Sequence, residues 1–147
     1  MNQYKIKDPI IEFTNKQEIS ILRYHNIEML YCVLLHDKNQ LPQNLKTLKK
    51  LRGISFFASA IKTLPPSILE LNKLEYLSIM ESSLSKLDSR FLNFTKLNAL
   101  EISAKLYKQN RRSIPKHLRY KQEFEFSGGR YIKLAKYKKD LSIMYYV

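Results

Sequence analysis

The chain has 147 residues, enough for one domain with a buried core, and its 44% apolar and 27% charged content places it among soluble globular chains. No apolar run approaches the roughly 18 residues of a membrane-spanning helix, and the opening MNQYKIKDPIIEF carries no secretory leader, so the expected compartment is the cytoplasm. The single cysteine, Cys32, excludes an intrachain disulfide framework, while a net charge of +13 predicts attraction to acidic surfaces.

Residues 1–27, which include IIEFTNKQEISILRYHN, predict one or two strands, with a helix as the alternative. MLYCVLLH (29–36) predicts a strand whose inward residues are Tyr31 and Val33, and Leu41-Pro42-x-x-Leu45 turns the chain after it. A repeat then begins. Leu48, Leu51, Ile54, Phe56, Ile61, Leu64 and Ile68 return 23 residues later as Leu71, Leu74, Leu77, Ile79, Leu84, Leu87 and Phe91. A third copy opens with Phe94, Leu97, Leu100 and Ile102. The alternating pairs Ile54/Phe56, Leu77/Ile79 and Leu100/Ile102 predict short strands, because side chains two apart share a strand face. Pro65 marks the turn that follows, Ile68, Leu71 and Leu74 predict a helical turn or two, and Asp88 stands where it can cap the next one. Further on, Ile114-Pro115-x-x-Leu118 is a displaced copy of the proline turn, and EFEF (123–126) predicts a last strand. Ser127-Gly128-Gly129 predicts a turn, and RYIKLAKYKKDLSIMYYV a returning strand or amphipathic segment.

The copies LKKLRGISFFASAIKTLPPSILE, LNKLEYLSIMESSLSKLDSRFLN and FTKLNALEIS resemble the leucine-rich repeat in its 23-residue form. The resemblance implies an α/β fold: a right-handed solenoid of four to five turns with a short parallel sheet on its concave face. Atypical caps would close both ends, giving one domain of an N-terminal cap (1–27), repeats (28–126) and a C-terminal cap (127–147). Where many members carry an asparagine after the strand, this chain has Ser59 and Ser82, with His36 and Lys105 at the outer turns, which predicts a looser bend.

Members of that family usually bind proteins on the strand-lined face. Carried over position by position, the resemblance nominates Gly53, Ser55 and Phe57; Tyr76, Ser78 and Met80; Ala99, Glu101 and Ser103; and Leu34 from the first turn. Leu34, Phe57 and Met80 lie 23 residues apart and should stack beside Tyr76. That apolar patch reads either as a partner site or as a face covered by a cap, by the C-terminal tail or by a second copy.

The charge lies elsewhere. Between Glu101 and Glu123 stand seven basic residues and no acid: Lys105, Lys108, Arg111, Arg112, Lys116, Arg119 and Lys121, with Tyr107 and Tyr120 interleaved. Arg130, Lys133, Lys136, Lys138 and Lys139 form a second cluster. Such a segment either grips phosphates, with tyrosines stacking on bases, or is a solvated lysine-rich surface. Three glycines leave no glycine-rich phosphate loop, no metal-ligand spacing links His25, His36 and His117, and Cys32 sits in an apolar strand where a thiol is inert. No cofactor is implied. The expected function is non-enzymatic protein binding through the strand face. The alternatives are an anionic partner (nucleic acid, an acidic protein or a lipid surface) held by the basic segment and, ranked lower, an immunity or antitoxin protein that blocks a toxin.

Overall fold

A computed structural model describes residues 11–13, 28–33, 45–57, 61–64, 66–80 and 83–142. The caps expected within 1–10, 14–27 and 143–147 lie outside these, as do Leu34, His36, Ser59 and Ser82.

Among the described residues, seven strands form one sheet: β1 (Ile11–Phe13), β2 (Met29–Val33), β3 (Gly53–Phe57), β4 (Tyr76–Ile79), β5 (Ala99–Ser103), β6 (Tyr120–Phe126) and β7 (Gly129–Ala135). Their order across the sheet is β1-β2-β3-β4-β5-β7-β6. The first five run parallel, whereas β7 is antiparallel to both β5 and β6. This corrects the expected α/β leucine-rich-repeat solenoid with its short, wholly parallel sheet: the sheet is mixed. Helix is also scarce, with α1 (Pro66–Leu69) holding four residues and α2 (Ala104–Gln109) six. The physical cause lies after Ser103. The repeat ends there, and Ser127 (φ 49°) and Gly128 (φ 79°) form a tight turn with two successive residues in the left-handed region. A turn of that hand matches strand twist and folds the chain into a hairpin. The returning strand β7, expected as part of a cap, takes the free edge of β5.

The parallel strands are joined by single helical turns: Leu45–Thr47 (3₁₀), α1, and Ser89–Asn93 (3₁₀). Gly53 faces Tyr76, which faces Ala99, and Ile54 faces Leu77, which faces Leu100. Successive partners therefore differ by 23 residues (76 − 53, 99 − 76). Backbone bonds recur at the strand starts: Glu28 C=O accepts from Arg52 and Gly53 N–H, Arg52 C=O from Glu75 and Tyr76, and Glu75 C=O from Asn98 and Ala99. The register of β2 differs from expectation. Leu30 faces Ile54, a step of 24 (54 − 30), and is buried in the main core, while Tyr31 points to the opposite side of the sheet. Tyr31 is thus not an inward residue, and the register partner of Phe57 is Val33.

The inward residues Ile54, Phe56, Leu77, Ile79, Leu100 and Ile102 join Ile132 and Leu134 of β7 in one core. Each buried side chain of this size contributes about 1.5–3 kcal/mol. Phe91 and Phe94 close it against the helical turns with rings edge to face, their centroids 5.0 Å apart. Asp88 caps the 3₁₀ turn Ser89–Asn93, its Oδ1 accepting from Arg90 N–H at 2.8 Å. Ile114 and Leu118 of the displaced proline turn are buried.

Buried Asn110 joins two layers. Its Oδ1 accepts from Leu87 N–H at 2.9 Å, and its Nδ2 donates to Leu106 C=O at 2.9 Å. Asn110→Ala orphans a buried donor and a buried acceptor at about 1–3 kcal/mol each. It should therefore lower unfolding free energy by about 2–6 kcal/mol in urea titration; a loss below half a kcal/mol would refute the role given to the amide.

Candidate functional site

The strand face nominated for binding is closed. Gly53, Ser55, Tyr76, Ser78, Met80, Ala99 and Glu101 are all buried, and Ser103 is half-buried as the cap of α2, its Oγ accepting from Leu106 N–H at 3.1 Å. Phe57 ends β3. On this side of the sheet Met29, Tyr31, Tyr76, Ala99 and Ala135 form a second apolar cluster, and Leu141 packs on it from the 3₁₀ turn Lys138–Ser142. The space is tight: a Cβ on Gly53 would collide with Met29 Sδ and lie 3.2 Å from Tyr76 Cβ.

Within this layer lies an ion pair foreign to an apolar face. Glu101 on β5 and Lys133 on β7 are direct cross-strand partners, with Lys133 Nζ 3.3 Å from Glu101 Oε2 and exposures of 0% and 4%. Burial holds the Glu101 carboxyl above the usual carboxylate range, against the pull of the Lys133 ammonium. Burial holds Lys133 below its ordinary value, against the pull of Glu101. Asp140, also buried, is raised by desolvation, with Lys139 and Lys133 opposing. Sequence reasoning assigned Glu101 to a solvent-facing row and Lys133 to a basic cluster, and missed that they meet. The available signal was a lysine inside the apolar run YIKLA, a position that needs a buried counter-charge once the strand is central.

The basic segment has the opposite character. Lys105, Lys108, Arg111, Arg112, Lys116, Arg119 and Lys121 are all exposed. The segment is nonetheless anchored. Leu106, Asn110, Ile114 and Leu118 are buried beneath it, and His117 Nε2 lies 2.7 Å from Leu97 C=O, which makes that nitrogen the proton carrier. Tyr107 supports two of the cations, with the Arg111 guanidinium 5.2 Å and the Lys121 ammonium 5.5 Å from its ring centroid. Between α2 and the β6–β7 hairpin runs an open cleft of about 310 Å³, lined among others by Tyr107, Lys108, Arg111, Lys121, Glu123 and Arg130. Glu123 and Arg130 pair loosely on its hairpin wall at 3.7 Å, both largely in solvent. Tyr120 and Tyr137 add exposed aromatic surface, and Tyr137 lies beneath Lys136 and Lys139. Tyr107 thus shares the α2 flank with these cations, whereas Tyr120, the partner of Ala135 from the second apolar cluster, stands on the other side of the sheet from Lys121, a separation that interleaving in sequence does not show.

Among the described residues, no helix is long and apolar enough to cross a membrane, and no group of three His, Cys, Asp or Glu side chains is placed to hold a metal ion. No protein-family model, curated protein or solved structure matches the chain, so nothing in these comparisons identifies it as a leucine-rich-repeat protein.

Lys133→Met leaves Glu101 buried without its counter-charge and should cost about 3–5 kcal/mol at pH 7. Because the carboxyl's folded pKa lies above its unfolded one, the folded state binds the proton more tightly. Stability is then lost as pH rises through the window between the two values and regained on acidification. Urea titrations at pH 7 and pH 5 should show the gap between variant and wild type narrowing at the lower pH; an unchanged gap would contradict the assignment.

Proposed function

We propose that the protein is a binding module for a phosphate-bearing polyanion, single-stranded nucleic acid in the first instance, held on the flank built from α2, the 3₁₀ turn Arg111–Ser113 and the start of β6. One observation carries the reading: the seven cations between Lys105 and Lys121 are all exposed on a segment whose apolar side is buried. An anchored cation has less freedom to lose on binding than one on a loose tail. Phosphates neutralised there release condensed counterions. Glu123 and Glu125 border the same region and confine the anion to the α2 side. A protein partner seated on the strand face is the weaker reading, because Tyr76, Ser78 and Met80 would first have to be uncovered.

The salt dependence of oligonucleotide binding tests this. Affinity for a single-stranded probe should rise steeply as salt falls from about 200 to 50 mM. The double variant Arg111→Ala/Arg112→Ala should flatten the log–log slope by about 1.4, two phosphate contacts at roughly 0.7 each. Binding that ignores salt, or a slope the double variant leaves unchanged, would remove the reading.

A further inference from the structure

β6 is the last strand of the sheet, and among the described residues no strand lies along its outer edge. It is seven residues long, and four of them, Tyr120–Glu123, are consecutive exposed positions. A long open edge carries unpaired N–H and C=O groups and is a template for another strand. The phase of these groups follows from the hairpin. Its two-residue turn makes Phe126 and Gly129 the hydrogen-bonded closing pair. Counting back by twos along an antiparallel ladder, Phe124, Gln122 and Tyr120 bond to β7, so Lys121, Glu123 and Glu125 direct their backbone groups outward.

The side chains along this edge are complementary to their own reversed order. Read outward from Gln122, Lys121 is matched by Glu123, Tyr120 by Phe124, and Arg119 by Glu125. We propose that β6 pairs with β6 of a second copy, antiparallel about a two-fold axis through Gln122, joining the two sheets edge to edge. In that register Lys121 of each copy faces Glu123 of the other in hydrogen-bonded pairs, Arg119 faces Glu125, and Tyr120 lies across from Phe124 on the opposite face. Other registers that keep the outward groups facing one another set like charges together. An axis on Lys121 opposes two lysines, an axis on Glu123 opposes two glutamates, and an axis on Phe124 sets Glu123 against Glu125. The loose Glu123–Arg130 pair leaves Glu123 able to serve both cations. The pairing draws on Arg119 and Lys121, which the anion-binding reading also uses, but its test uses no ligand and so fails or holds separately from that reading.

The test is sedimentation of the whole chain across a concentration series at physiological salt. Wild type should show a reversible monomer–dimer equilibrium. Lys121→Glu, at an exposed site, sets Glu against Glu123 twice and should weaken the dimer at least tenfold, while Lys121→Glu/Glu123→Lys should restore it. Gln122→Cys should cross-link under mild oxidation, since non-hydrogen-bonded partners at the axis stand about 4.5 Å apart. The wild-type chain, whose one thiol is Cys32, serves as the control. A monomer at every concentration, a dimer indifferent to Lys121→Glu, a swap that fails to restore association, or cross-linking at Glu123→Cys but not Gln122→Cys would overturn the proposal.

Discussion

Parallel strands place apolar side chains on both sides of a sheet, and a parallel sheet with one side in water is rarely stable. That constraint organises this molecule. The 23-residue spacing aligns β3, β4 and β5 so that Ile54, Leu77 and Leu100 stack on one face. The same alignment brings Tyr76 and Ala99 together on the other. The first stack supplies the core. The second has to be sealed too, and Met29, Tyr31, Ala135 and Leu141 seal it. A face suited by its composition to gripping another protein is thereby used within the chain, while the exposed cations stand on a separate flank with a buried aliphatic footing.

The Glu101–Lys133 pair shows what happens when charge enters such a layer. Two ions withdrawn from water gain little net stability, since the desolvation cost consumes most of their attraction. They do select a register. A one-residue slip of β7 against β5 would turn Lys133 into the aliphatic core and Ile132 out of it. We read the pair as a positional lock on the one junction where the sheet changes from parallel to antiparallel.

Legibility in the sequence followed periodicity. Strands β3, β4 and β5, their inward residues, the Asp88 cap, the Ser127-Gly128 turn and the burial of Ile114 and Leu118 were all readable, because each rests on spacing or on local turn chemistry. Three things were not. The register of β2 was ambiguous because apolar residues occupy both of its faces from Leu30 to Leu34. The order β5-β7-β6 depends on a long-range contact that no local pattern encodes. The closure of the strand face depends on segments far apart in the chain, Met29 and Leu141 among them. The basic flank was legible as composition, while its anchoring through Asn110 and His117 was visible only in three dimensions.

The docking of β7 against β5 also sets how this architecture can vary in size. Every earlier strand pairs along its far edge with a parallel neighbour, so additional 23-residue units can be spliced between β2 and β5 without altering either end. None can follow β5, whose outer edge is taken by a strand of opposite direction. Lengthened or shortened forms of this chain, natural or engineered, should differ in the number of units ahead of the hairpin and keep the hairpin itself as a fixed terminus.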